Sequence, residues 1–214
     1  MVNSEQVKIA VLVSGGGTNL AALLDAEKSG IIKSGKISLV ISNNPDAYAL
    51  IRAREHNVKT AVVSKKQYST QSLFEGELLK LLRDNDIELI VLAGFMCILS
   101  ENFTSRYPKR IINVHPSLIP SFCGKGFYGI HVHEAVLSYG VRLTGATVHF
   151  VNEVPDGGEI ILQKAVAVRK SDTPQILQKR VMEQAEWKIL PHAVELTCQK
   201  ILKDKNNYEH IQNP

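Results

Sequence analysis

A chain of 214 residues, 44% of them hydrophobic, is long enough to bury a substantial core, and α/β folds of this size commonly form one domain. Its formal net charge of +4 comes from mixed-sign residues spread over the whole length; this excludes the polybasic block or charged tail of a nucleic-acid binder and suits a phosphorylated or polycarboxylate small molecule. Three cysteines, Cys97, Cys123 and Cys198, are odd in number, widely spaced and without a C-x-x-C pair, which excludes a disulfide framework and a zinc ribbon.

Residues 1–6 are polar and lack the apolar core of a signal peptide, and no stretch approaches the roughly 20 apolar residues of a membrane span. These features predict a soluble protein of a reducing cytoplasm. Residues 8–13, K-I-A-V-L-V, form an apolar, β-branched run of the kind buried on both faces of a parallel sheet. S-G-G-G-T-N follows at residues 14–19, and Leu20, Leu23 and Leu24 then recur at helical spacing, so a glycine loop joins a strand to a helix N-terminus. Backbone N–H groups and the positive end of the helix dipole converge there. Gly16, Gly17, Thr18 and Asn19 are therefore candidates for a phosphate cradle. The loop is neither a P-loop, which would continue Lys-Ser/Thr, nor G-x-G-x-x-G, and a tight turn packed through its glycines is the competing explanation.

Strand and helix signals then alternate: a strand over 37–41, a helix over 46–56, a strand over 60–63, a helix marked by Leu73, Leu78, Leu81 and Leu82, and a strand over 87–93. Such order predicts a single-domain α/β fold, a mostly parallel twisted sheet with helices on both faces, Rossmann-like in outline. Ser42-Asn43-Asn44 stands after the second strand where a dinucleotide site would carry an acidic residue, which argues against a dehydrogenase. The apolar run F-M-C-I-L at 95–99 fits core or the wall of a pocket for a flat ligand, with the pattern favouring core.

Residues 112–120, I-N-V-H-P-S-L-I-P, place an amide and an imidazole two apart, so Asn113 and His115 point to one side of an extended segment. Pro116 keeps His115 out of a helix interior, and the motif reads as a strand end entering a loop, where open α/β sheets hold ligands. Gly124-Lys125-Gly126 with Gly129 reads as a mobile loop. His131, His133 and Glu134 superficially suggest a metal site, but no cysteine or aspartate cluster accompanies them and the ligand count argues against metal. Strands are predicted over 147–151 and 159–168, joined by N-E-V-P-D-G-G, a tight loop able to bring Asp156 toward a site. Thr173-Pro174 starts a helix with a cap and a proline at the first position; the pattern runs to about Leu202, kinked or divided at Pro191.

Taken together, S-G-G-G-T-N, L-A-G-F-M-C-I-L, I-N-V-H-P-S-L-I-P, H-x-H-E-A, T-V-H-F-V and V-P-D-G-G resemble, in order and spacing, the folate-dependent glycinamide ribonucleotide formyltransferases of purine synthesis. The resemblance covers residues 8 to about 202 and implies one formyltransferase domain over 1–214, its N-terminal half binding phosphate and substrate, its C-terminal half folate-binding and catalytic. It implies formyl transfer from 10-formyltetrahydrofolate, as co-substrate, to the amine of glycinamide ribonucleotide, without metal, covalent intermediate, nucleic acid or membrane, in a cytoplasmic monomer or homodimer. By the same resemblance Asn113, His115 and Asp156 are catalytic. Gly17, Thr18 and Asn19 take the substrate phosphate, Glu186 meets the ribose or amine end, and Met96, Cys97, Ile98 and Leu99 wrap the pteridine with Asn113, Asn152, Glu153, Val154, Pro155 and Asp156. Three departures stand out: Cys97 and Gln71 where relatives carry arginines near the folate tail, and Trp187 in place of a histidine. A formyltetrahydrofolate hydrolase, a methionyl-tRNA formyltransferase and a nucleotide-binding module without catalysis are the competing readings.

Overall fold

The computed structural model describes residues 6–212, with side chains described to residue 207; all of the polar N-terminal segment but its last residue lies outside the described residues. Strand β1 (Val7–Val13) is fully buried but for Lys8, because it sits mid-sheet and apolar β-branched side chains cover both of its faces. Its alternation divides the core in two. Ile9, Val11 and Val13 face one side with Leu20, Leu23 and Leu24 of helix α1 (Thr18–Lys28), while Ala10 and Leu12 face the other with Phe74, Leu78 and Leu82 of helix α3 (Gln71–Asp84).

Strands β2 (Gly35–Ser42), β3 (Lys59–Val62), β4 (Leu89–Leu92), β5 (Ile111–His115), β6 (Leu143–Phe150) and β7 (Ile160–Ala167) complete a seven-stranded sheet of order β3-β2-β1-β4-β5-β6-β7. The first five strands are parallel, and β6 and β7 add an antiparallel edge. Helices α2 (Tyr48–Glu55), α5 (Ile130–Tyr139), α6 (Pro174–Val181) and α7 (Trp187–Gln212) join α1 on one face; α3 and the short α4 (Glu101–Thr104) cover the other. The fold is the mostly parallel α/β sheet read from the sequence. Strand order reverses between β1 and β4, which opens a crevice beyond their carboxyl ends, where such sheets place ligands.

Two local readings are corrected. The run at 95–99 is not core throughout: Leu99 is buried, but Met96 and Ile98 are exposed, 56% and 70%, because the chain leaves the sheet at Gly94 and lines the crevice. Of the two outcomes expected at Pro191, a kink or a division, the division does not occur, since α7 runs on through the proline. The break in α-helical geometry comes earlier, in a π-helical turn at Met182–Glu186 between α6 and α7, ahead of the proline.

Candidate active site

Strand β5 ends at the crevice, and pairing with β6 sets Asn113 opposite His149 and His115 opposite Thr147. Asn113 and His115 thus share one side of the strand, away from Ile112 and Val114, which enter the α1-side core. The loop after β6 returns Asp156 to the same place, held in the left-handed region at φ 57° and fixed by the Gly124 N–H, which donates to its Oδ2 at 2.8 Å. His115 Nδ1 lies 3.5 Å from Asp156 Oδ2, and His149 Nε2 lies 3.5 Å from Oδ1. One carboxylate is flanked by two imidazoles. Both rings are almost fully buried, His115 4% and His149 1% exposed.

The tautomers follow from what surrounds the rings. His115 Nε2 meets the Phe122 carbonyl at 2.8 Å, and His149 Nδ1 meets the Phe150 carbonyl at 2.8 Å. A carbonyl oxygen only accepts, so these nitrogens carry protons; His115 turns its Nδ1 toward Asp156, and His149 presents its Nε2 to the same carboxylate. Asn113 Nδ2 lies 3.2 Å from His149 Nε2, which leaves an N–H of the amide for the cavity that Asn113 lines. Burial pushes the His115 pKa below the ordinary histidine value against the raising effect of Asp156, so the ring is neutral at pH 7. Burial alone would raise Asp156, but the His149 hydrogen bond, the nearness of His115 and the Gly124 N–H outweigh it and hold the carboxyl below its usual range.

The cavity around this cluster has a volume of about 620 Å³. Met96, Cys97, Ile98 and Leu99 form one wall, and Asn152, Glu153, Val154 and Pro155 another. The first wall is anchored from α3: buried Glu75 accepts from the Ser100 N–H at 2.7 Å, from the Ser100 hydroxyl and from Gln71 Nε2 at 2.6 Å, and Gln71 also donates to the Ile98 carbonyl at 3.0 Å. Gln71 is thereby turned into the protein. At another part of the lining, Asn19 Nδ2 donates to Glu186 Oε2 at 2.8 Å, and complete burial lifts the Glu186 carboxyl to about 7.

Gly17 caps α1 at φ 70°, and a Cβ there would sit 2.6 Å from Ala49 Cβ, so this glycine answers to close packing. Gly15 and Gly16 face open space, and α1 starts without a side-chain cap. Asn113, His115, Asp156, Asn19 and Glu186 all line the one cavity; Gly16, Gly17 and Thr18 do not, and Thr18 lines a separate cleft of about 470 Å³ beside Trp187 and Lys188. His131 turns outward to pair with Glu134 at 2.9 Å, whereas His133 is wholly buried and lines the cavity, so these residues do not converge on one point. Sequence reasoning gave His149 no role. Its two-residue register with Thr147 in T-V-H-F-V, the alternation that pairs Asn113 with His115, was the available signal.

The formyl transferase family model matches residues 7–194. The chain is 39% identical over 204 residues to phosphoribosylglycinamide formyltransferase of Haemophilus influenzae, covering 95% of this chain and 93% of that one. It is 43% identical over 197 residues to the trifunctional purine biosynthetic protein adenosine-3 of Gallus gallus, covering 92% of this chain but spanning only 19% of that longer protein. The crystal structure of glycinamide ribonucleotide transformylase 1 from Symbiobacterium toebii superposes with a TM-score of 0.85 at 37% identity, covering 91% of this chain and 89% of that one. By fold, by cavity and by these likenesses, the chain belongs to the formyl transferase family, and within it to the phosphoribosylglycinamide formyltransferases.

Proposed function

We propose that this chain transfers the formyl group of 10-formyltetrahydrofolate to the amine of glycinamide ribonucleotide, with Asn113, His115 and Asp156 as its catalytic residues. The observation that carries the reading is the Asp156 carboxylate set between two tautomer-fixed imidazoles in the cavity that Asn113 also lines. A neutral amine attacking a formyl carbon generates an oxyanion and a cationic nitrogen, so the site must supply a hydrogen-bond donor and a proton acceptor. The free N–H of Asn113 is the donor, stabilising charge that grows only along the reaction path. His115 Nδ1, neutral and with its lone pair facing Asp156, takes the amine proton, and the adjacent carboxylate stabilises the imidazolium that results. The same nitrogen returns the proton to the departing folate nitrogen. His149 Nε2 lies beside the other oxygen of Asp156 and beside the Asn113 amide, and so keeps both groups in place.

The co-substrate supplies the formyl carbon. The walls at 96–99 and 152–155 suit its flat pteridine, with backbone groups as partners and Met96 and Ile98 as apolar surface. The uncapped start of α1, beside open Gly16, suits the ribonucleotide phosphate, and the buried Asn19–Glu186 pair suits the uncharged polar part of that substrate. On this reading the N-terminal half binds phosphate and substrate and the C-terminal half binds folate and performs the chemistry, within a cytoplasmic monomer or homodimer. Among the described residues no helix is long and apolar enough to cross a membrane.

The test is tetrahydrofolate production by the purified protein, followed with each substrate alone and with both. Product appears only with both present. Folate turnover without the amine substrate points instead to a hydrolase, and no turnover with phosphate-dependent binding points to a non-catalytic module.

A further inference from the structure

His133 is the fourth residue of α5, wholly buried, and among the described residues neither ring nitrogen has a hydrogen-bond partner, although the residue lines the cavity. A neutral imidazole always carries one donor and one acceptor. Leaving both unmet in the interior is disfavoured, and buried polar groups in native proteins are paired as a rule. The helix does not need an imidazole for packing, since Val132 and Val136 supply its buried apolar contacts. The cavity lining holds a second orphan of the same kind, Asn19 Oδ1, on a side chain whose amide is committed to Glu186. Two buried side chains with unused hydrogen-bonding atoms in one cavity describe a surface complementary to a ligand.

The charge around them narrows the ligand. Glu186 and Asp156 share the lining, and Lys125 is its one Lys or Arg among the described residues, so an anionic group is not what these atoms favour. His133 and His115 lie close enough that charge on His115 disfavours charge on His133, whose pKa is pushed down to about 4, chiefly by burial. His133 therefore stays neutral, able to donate from one nitrogen and accept at the other.

We propose that His133 is a positioning residue for the amine substrate, exchanging a donated and an accepted hydrogen bond with an uncharged hydroxyl or carboxamide group and so holding the attacking amine in register with His115. The proposal rests on the formyl-transfer reading above and adds a residue and a ligand chemistry to it. It separates two substrates that share one cavity: loss of His133 affects the ribonucleotide and spares the folate.

The experiment compares His133→Leu and His133→Asn with the parent protein by steady-state kinetics, varying each substrate in turn, alongside thermal unfolding. His133→Leu removes the orphan atoms and keeps the site apolar and filled, so it unfolds at the parent temperature or above. Its KM for glycinamide ribonucleotide rises roughly five- to thirtyfold, the effect of one or two lost hydrogen bonds, with KM for the folate unchanged. His133→Asn, which keeps a donor and an acceptor, recovers part of the loss. An unchanged ribonucleotide KM in a stable His133→Leu protein overturns the proposal, as does an equal rise in both KM values. Absence of formyl transfer in the parent would refute the underlying reading instead, so the two failures are distinguishable.

Discussion

Glu186 shows how one side chain reports its surroundings. Its carboxyl is 6% exposed and accepts one hydrogen bond from Asn19, so burial favours the protonated form and lifts its pKa from 4.5 to about 7. A carboxyl raised in the fold contributes stability that is fully present below the unfolded value near 4.5 and is lost as pH climbs through about 7. Glu186→Gln keeps an acceptor for Asn19 and cannot ionise. Its stability relative to the parent should therefore increase between pH 5 and pH 8, by roughly 3 kcal/mol at about 1.4 kcal/mol per pKa unit. Urea unfolding at the two pH values measures this, and a difference independent of pH would show that Glu186 ionises freely. His133, displaced in the opposite direction to about 4, loses stability as pH falls from 6.5, but it is common to both proteins and drops out of the comparison. None of this was legible in the sequence. Glu186 was singled out there by resemblance alone, and its burial depends on a π-helical turn that no residue pattern announces.

Among the elements, strands declared themselves best where both faces are covered, as in K-I-A-V-L-V, because burial on two sides demands an unbroken apolar run. Strand β6 was harder to read: it begins at Leu143, four residues before the predicted start, since Leu143, Thr144 and Gly145 form no unbroken apolar run. The loop after β4 misled for a different reason. Its apolar residues look like core because a ligand wall and a core share composition, and only the path of the chain past Gly94 separates them. What holds that wall is Glu75, far away in sequence on α3, whose carboxylate gathers Ser100 and Gln71. Glu75→Ala leaves a backbone N–H and a side-chain amide without their acceptor, which should destabilise the protein by about 1–3 kcal/mol. On the proposed reading, in which the anchored wall meets the folate, it should also raise KM for the folate more than KM for the ribonucleotide. Equal effects on both, or none, would assign Glu75 to general stability only.

For the molecule as a whole, the topology brings together residues that the chain keeps apart. Asn113 and His115 end a parallel strand at the crevice, the antiparallel edge lays His149 beside them, and the turn after that edge folds Asp156 back against both rings. The sequence exposed the first pair through alternation and the aspartate through its turn chemistry, whereas the alternation that marks His149 gains its meaning from the cross-strand register that sets it opposite Asn113. In the proposed mechanism this cluster handles one proton as a unit. A double-mutant cycle on kcat/KM with His115→Ala and Asp156→Asn tests it most directly, with folate affinity measured alongside to confirm an intact cavity. Each single substitution should lower the rate about a hundredfold to ten-thousandfold, the usual contribution of a positioned acid–base group. If His115 and Asp156 act together, the double mutant is little slower than the slower single mutant; losses that multiply in full would contradict the pairing and leave Asp156 as part of a structural turn.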